Sequence, residues 1–357
     1  MRSSLLKRHP VKTIALLLFL MFAFAEISLR IAFAVKNYPV GKLAPSWLAF
    51  KPMDSLEVWN SFYTDANGIY KASREYWNQP HWNINSEGFR GREFAADTLN
   101  DSAVSILLIG DSYTWGAHAK PPDSCFAYLL DKEFVCYNAG IPGTDPAQYA
   151  QVAKTYVPKL HPDFTLVMLY LGNDLMDSAK SIVPNENIYY QTNAGWLPVN
   201  YKGRHFSSAR ESYQYVVDKF SPHSLLEKIF LKTAIGTAAL TLPLRLEEYA
   251  DWNRKKNSSI TNNYLKEIRA VCERNNSELL IFIIPREEDL SVGFYKDPER
   301  HIADEYPALM KGIEAISFVF PFRKDHLYPP PDGHLNNAGH QFAAEFIKTK
   351  VEFRHLR

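Results

Sequence analysis

Val104-Ser105-Ile106-Leu107-Leu108-Ile109 runs directly into Gly110-Asp111-Ser112-Tyr113-Thr114. A strand with one face in water alternates apolar and polar residues. A nearly continuous apolar run of this length reads instead as a strand buried on both faces. The same pattern returns at Phe134 to Asn138, Phe164 to Leu171, Glu278 to Ile284 and Ile316 to Phe320. Helical stretches separate these runs at Asp123 to Lys132, Asp145 to Val157 and Ile260 to Arg274, and a last helix spans Asn337 to Val351. Asp145 stands where a capping acid opens a helix. Doubly buried strands alternating with helices predict an α/β fold, a three-layer sandwich around a parallel sheet of about five strands. One domain, residues 101–357, accommodates all of it.

Toward the amino terminus, Arg2, Lys7, Arg8 and Lys12 precede an apolar run beginning at Thr13. That is the pattern of an export signal. Ala23-Phe24-Ala25 offers a small-x-small cleavage site, yet the apolar character resumes after Glu26 and continues to Val35. A stretch from residue 13 to 35 exceeds the ~20 residues that cross a bilayer. Glu26 and Arg30, four apart, would meet on one helical face. The expectation is a signal anchor over residues 13–35, with residues 1–12 cytoplasmic and everything after about Lys36 outside. Secretion after cleavage is the alternative.

Residues 36–100 are aromatic and polar with little periodicity, and read as a stalk followed by irregular structure packed on the domain. Within it, Asn85-Ser86-Glu87-Gly88-Phe89-Arg90 reads as a turn in which Gly88 takes a positive φ and Phe89 enters the core. Between about residues 177 and 257 the strand–helix rhythm breaks. Tyr189, Tyr190, Trp196 and Tyr201 fall among polar residues, followed by helical stretches at Leu225 to Leu231 and Leu244 to Trp252. A lid or substrate platform and the plain packing of a long excursion both fit such an insertion.

Composition excludes several classes. Lys plus Arg number 40 against 39 Asp plus Glu, a net charge of +1, so no basic surplus points to nucleic acid. Cys125, Cys136 and Cys272 form no C-x-x-C pair and lie at no ligand spacing from a histidine. Neither a metal nor another cofactor is implied. Cys125 and Cys136 could pair in an oxidising compartment, or all three cysteines be buried apolar residues. The aromatic share of 14% suits a thick core, and also a ring-lined carbohydrate cleft.

The chemistry-bearing residues sit where strands end, the place where open parallel sheets bind ligands. Ser112 follows the first strand, and a serine hydroxyl needs a base within hydrogen-bond reach. The second strand ends in Asn138-Ala139-Gly140-Ile141-Pro142-Gly143, the third in Leu171-Gly172-Asn173-Asp174, and Asp332-Gly333-His334 precedes the last helix. Asp111 reads as a tie for the following loop, and Asp174 as a pin for the loop carrying Asn173.

With these four blocks, in this order, the chain resembles the SGNH hydrolase superfamily (GDSL-like lipases and esterases, with polysaccharide O-acetyltransferase relatives) over roughly Val104 to Ile347. The resemblance implies a flavodoxin-like fold. It implies Ser112 as nucleophile, His334 as base and Asp332 as the acid that orients the imidazole. It further implies an oxyanion hole made by the amides of Ser112 and Gly140 and the side chain of Asn173. The commonest pattern of the family puts the acid three residues before the histidine, where this chain has Pro331. A spacing of two is also found among the polysaccharide O-acetylating relatives. Asp325 is the alternative acid and His340 the alternative base. His118 reads as a loop residue.

The resemblance implies a serine esterase acting through an acyl-serine on O-acyl, notably acetyl, groups of a carbohydrate or cell-envelope glycan. An O-acyltransferase using the same residues is the first alternative. A non-catalytic, membrane-tethered module that binds a glycan or an envelope protein partner is the second.

Overall fold

The computed structural model describes residues 9–35, 51–77, 82–95, 103–177, 189–201, 204–221, 224–242, 246, 260–329 and 333–356. The chain forms two compact units, Met1–Leu56 with Arg210–Asp251, and Glu57–Ala209 with Trp252–Arg357.

Helix α1 (Pro10–Val35) opens the chain and is apolar and long enough to cross a membrane, as a signal anchor or a signal peptide would be. Three short strands follow, β1 (Val58–Trp59), β2 (Phe62–Thr64) and β3 (Tyr70–Ala72). The main sheet begins with β4 (Ser105–Gly110), which leads into the one-turn helix α2 (Ser112–Trp115). Next come α3 (Phe126–Leu130), β5 (Val135–Gly140), α4 (Pro146–Leu160), β6 (Phe164–Tyr170) and the short α5 (Asp174–Asp177). Two hairpins, β7 (Tyr189–Thr192) with β8 (Gly195–Pro198) and β9 (Asn200–Tyr201) with β10 (Arg204–His205), precede α6 (Ala209–Phe220). Helices α7 (Leu225–Phe230) and α8 (234–242) belong to the smaller unit. The larger unit resumes with α9 (Ile260–Arg274), β11 (Glu278–Ile284) and the short helices α10 (Val292–Lys296), α11 (Pro298–Glu305) and α12 (Pro307–Met310). It closes with β12 (Ser317–Val319) and α13 (Asn337–His355).

The five-stranded sheet has the order β12-β11-β6-β4-β5, and every pair in it is parallel. Counted along the sheet's own strands this is 2-1-3-4-5, the flavodoxin order. Helix α4 packs with α9, and α3 with α13. Right-handed crossovers put those two pairs on opposite faces. Burial on both sides explains the apolar runs: every residue of β4 and β5 is buried, as is all of β6 but Tyr170. The order reverses between β4 and β6, so the crevice of the sheet opens at their carboxyl ends.

One expectation needs adjusting. The helix expected over Asp123 to Lys132 is a 3-10 turn at Pro122–Ser124 followed by α3, because Cys125 leaves helical geometry between them to pack against Gly116. After the expected stalk, residues 57–77 and 82–95 pack on the domain. Phe62, Ile69, Tyr70, Ile84, Phe89 and Phe94 all belong to the buried cluster. Gly88 has φ +82° and Phe89 is fully buried, as the turn requires. The helix expected over Leu244 to Trp252 lies, Leu246 apart, outside the described residues. All three cysteines are free and buried, and burial raises each thiol, that of Cys272 to about 11.

The amino-terminal segment also supplies the support beneath α2. Arg90 is buried, and its guanidinium donates to the carbonyls of Trp115 (2.7 Å), Gly116 (3.2 Å) and Pro122. It stands over the rings of Trp82 (5.0 Å), Tyr128 (5.5 Å) and Trp115 (5.9 Å). A cation at the last carbonyls of a helix satisfies groups that the helix cannot. Arg90→Ala would remove the buried donor to the Trp115 carbonyl and one of two donors to those of Gly116 and Pro122, so a loss on the order of 1–3 kcal/mol is expected. Arg90→Lys, a point charge without the guanidinium fork, would recover only part of it. The denaturant midpoint of the detergent-solubilised chain measures both, and an unchanged midpoint for Arg90→Ala would refute the assignment.

Candidate active site

Ser112 is the first residue of α2, just past the end of β4. Asp111 caps that helix: its Oδ1 accepts from the Tyr113 amide at 3.0 Å, holding the turn that presents Ser112. The Ser112 Oγ lies 2.8 Å from Nε2 of His334, 222 residues away in sequence. His334 is fixed through its own backbone. Its carbonyl accepts from the Tyr328 amide at 2.8 Å, and Leu327 pairs with Leu335 in an antiparallel bridge. Tyr113 seals the arrangement, its hydroxyl donating to the Gly333 carbonyl at 2.9 Å and its ring lying 5.0 Å from the imidazole. Gly333 needs its φ of +70° to make that turn.

Asp332, the expected acid, lies outside the described residues. The alternative acid, Asp325, is exposed and paired with Arg323 at 3.3 Å. The alternative base, His340, is fully buried beside Phe126, and burial lowers its pKa to about 4. It is therefore a neutral core residue near neutral pH.

Asn173 follows β6 on the other side of the switch point. Its Nδ2 donates to Asp111 Oδ2 at 3.3 Å, while its Oδ1 is buried without a hydrogen-bond partner. Gly172 leaves room for the Tyr170 ring, which folds back across it; a Cβ there would lie 2.4 Å from that ring. Asp174 is buried, with Oδ1 accepting from Tyr149 (2.9 Å) and Oδ2 from the Tyr170 amide (2.8 Å), so it pins the turn that carries Asn173.

Gly140 departs from its expected role. Its amide already donates to Oδ1 of Asn138 at 2.9 Å. A Cβ on it would lie 2.5 Å from the Trp115 amide, and one on its register partner Gly110 would lie 2.1 Å from Thr114 Oγ1. The two facing glycines are the floor on which α2 rests, and the Gly140 amide is not open to a substrate. The loop beyond it is the more exposed feature. The Gly110 carbonyl accepts from the Ile141 amide (3.1 Å) and from Thr144 Oγ1 (3.2 Å), which ties residues 141–144 over the end of β4. Gly143 in that loop has φ +77° and lies under the half-buried rings of Tyr189 and Trp196. The signal for it was in the sequence, as the second glycine of the same block.

His118, read as a loop residue, lies in a turn close to His334. It is exposed, adopts φ +63°, and its ring lies 5.1 Å from that of His334. Tyr328 donates to its carbonyl at 3.2 Å, tying it to the His334 loop.

No protein-family profile and no curated relative matches the chain. Among solved structures it is similar to a two-domain esterase active on acetylated mannans, in the form co-crystallised with mannopentaose. There the identity is 14% and the TM-score 0.35, with 70% of this chain and 49% of that one covered. The structure of that esterase without the oligosaccharide gives 14% identity, a TM-score of 0.33, and 70% and 48% coverage. The chain thus spans about half the length of these neighbours.

Burial, with the nearby Asp111 carboxyl second, raises the pKa of Asp174 well above 3.8, against the pull of its two donors. An acid raised in the folded state favours folding most at low pH. That contribution fades as pH rises from 3.8 toward the folded value, because the unfolded chain ionises first. Asp174→Asn, neutral throughout, should therefore gain stability relative to the parent as pH rises from about 4 to 7. Chemical denaturation across that range measures the gap; one that is flat with pH would show Asp174 to be ionised in the folded protein.

Proposed function

We propose that the chain is a serine esterase of the SGNH type, acting through an acyl-serine on O-acyl groups of a carbohydrate. The observation that carries this reading is the 2.8 Å contact between Ser112 Oγ and His334 Nε2 at the switch point of the sheet. In this reading His334 takes the hydroxyl proton as Ser112 attacks the ester carbonyl, and returns it to the leaving alcohol. Asp332 orients the imidazole and stabilises its charged form. The oxyanion is held by the Ser112 amide and Asn173 Nδ2. We assign the third donor to the Gly143 amide, because the Gly140 amide is already bonded to Asn138. Donors fixed before reaction stabilise the new charge without reorganising, each contributing on the order of 3 kcal/mol. Asn173 is suited to this because its link to Asp111 occupies at most one of its two amide hydrogens.

Tyr189 and Trp196, half-buried beside the Gly143 loop, offer a sugar ring an apolar face. The same surface suits a sugar acceptor, so O-acyl transfer from the same intermediate is the second reading. The cationic flank of α1 and its length favour an anchored protein with the catalytic residues outside the cytoplasm.

Intact-mass analysis of the detergent-solubilised chain with an activated acetyl ester tests the chemistry. One acetyl adduct is expected on the parent and none on Ser112→Ala; equal labelling of both sinks the proposal. Trp196→Ala should raise KM for an acetylated oligosaccharide about tenfold, the worth of ~1.4 kcal/mol, with little change in kcat for a small aryl acetate. Equal losses on the two substrates would remove Trp196 from glycan binding.

A further inference from the structure

The smaller unit contains a contact that a discarded export signal would not make. Glu26, within the membrane-length helix α1, accepts hydrogen bonds from the Ala234 amide (Oε1, 2.8 Å) and the Ile235 amide (Oε2, 3.0 Å). Arg30 donates to Glu26 Oε1 at 2.7 Å and to the Lys232 carbonyl at 3.1 Å. Thr233 Oγ1 takes the next amide, that of Gly236, at 2.9 Å. The first three amides of α8 are therefore capped, two of them by a carboxylate more than two hundred residues earlier in the chain. Gly236 permits a tight turn, since a Cβ there would lie 1.9 Å from the Phe230 carbonyl. Ala234, Gly236, Thr237 and Thr241 are buried along α8. On α1, Ala23, Ala25, Glu26, Leu29 and Phe33 are partly covered, whereas residues 14–22 are exposed throughout.

The preceding helix carries the opposite pattern. Leu225 and Leu226 are 73% and 78% exposed, and Ile229 and Phe230 are exposed on the same face. Leu242, at the far end of α8, is exposed as well. Lys228 and Lys232 flank these side chains and are also exposed. Four large apolar residues facing outward on a six-residue helix are unsuited to water.

We propose that α7 and α8 form a second membrane element, an interfacial hairpin locked onto α1, with Leu225, Leu226, Ile229 and Phe230 dipping into the outer leaflet. Three observations commit the surface to lipid. It lies in one compact unit with a helix of membrane-spanning length, and the residues just after it are hydrogen-bonded to that helix. Its cations suit anionic headgroups. And Glu26 lies about 20 Å along the helix axis from Thr13, inside a hydrocarbon layer of ~30 Å, so that the amides it caps are held at the same depth. The pairing with Arg30 and the two amides also explains how an acid is tolerated there. It follows that α1 is retained in the mature protein.

The test uses the full chain reconstituted into mixed phosphatidylcholine–phosphatidylglycerol vesicles. Intact mass of protein extracted from the cell membrane should include α1; a mass beginning after Ala25 overturns the proposal. A fluorophore on Leu226→Cys or Ile229→Cys should be quenched at least about twofold more by chain-brominated lipid than one on Phe353→Cys, an exposed site in the larger unit. Equal quenching at the three sites overturns it, and so does a shielded label at 226 that brominated lipid leaves unquenched, since a protein would then cover this face. Glu26→Ala should reduce quenching at 226 to near the Phe353→Cys level, while Glu26→Gln, which keeps one acceptor, retains part of it. Full quenching in Glu26→Ala would show that the cap does not hold the hairpin. Turnover of the aryl acetate is read alongside, so that a failed esterase assignment and a failed membrane element are told apart.

Discussion

The hydrogen bond between Ser112 and His334 joins the first turn of α2 to the loop before α13, and the contacts around it hold both ends. Oγ has to be brought to a ring nitrogen across 222 residues with the accuracy of a hydrogen bond. The serine end is fixed from below by Gly110 and Gly140, whose missing side chains let α2 lie on the sheet, and by Arg90 at the carbonyls that end it. The histidine end is fixed by the bridge between Leu327 and Leu335 and by Asn336, which accepts from Gly339 at the start of α13 and donates to the carbonyls of Asp325 and Leu327. Tyr113 spans the two, one residue from the serine and bonded one residue before the histidine. Each of these contacts narrows the positions open to one partner of the pair, which is what holds two distant stretches of chain at hydrogen-bond distance.

The sheet was legible because strands buried on both faces have no polar positions to disguise them. Glu278–Ile284 and Ile260–Arg274 coincide with their sequence readings to the residue. Asp145 and Asp111 were legible as capping and turn-tying residues because a carboxylate before a helix has one local use. Other features depend on approaches that no local pattern encodes. Arg90 reads as the end of a turn and becomes a buried support only because Trp82, Trp115 and Tyr128 converge on it. Gly140 and Gly143 are alike in sequence, and only the structure shows that the Gly140 amide is bonded to Asn138. The hairpin β7–β8 was hidden because β7 pairs with β1, a two-residue strand with no periodicity of its own.

The aromatic surplus divides along the same line. Phe62 meets Tyr70, Trp77, Trp115 and Trp196 at 5.6 to 5.8 Å, and Trp77 meets Trp82 at 4.7 Å. These rings join residues 62–82, as far as they are described, and the β7–β8 hairpin to the end of α2. Most of the rings are thus core, contributing packing area and edge-on contacts. Trp196 belongs to both categories. It is in contact with Phe62 on the core side and keeps part of its surface outside, next to Gly143.

Around the serine the usual rules of burial are relaxed. Thr114 Oγ1, Asn138 Nδ2 and Asn173 Oδ1 are buried polar atoms without hydrogen-bond partners, all within the three strand-end blocks. Asp111 and Asp174 are buried acids close enough for one to raise the other. His118, beside the imidazole, holds a left-handed backbone that a non-glycine residue adopts at a cost. Each departure is destabilising on its own. The unpartnered Oδ1 of Asn173 is the most telling of them. Its amide group is turned so that the nitrogen bonds Asp111 and the oxygen bonds nothing. That orientation leaves a buried acceptor unsatisfied, a cost the fold carries on the side chain that ties the loop after β6 to Asp111.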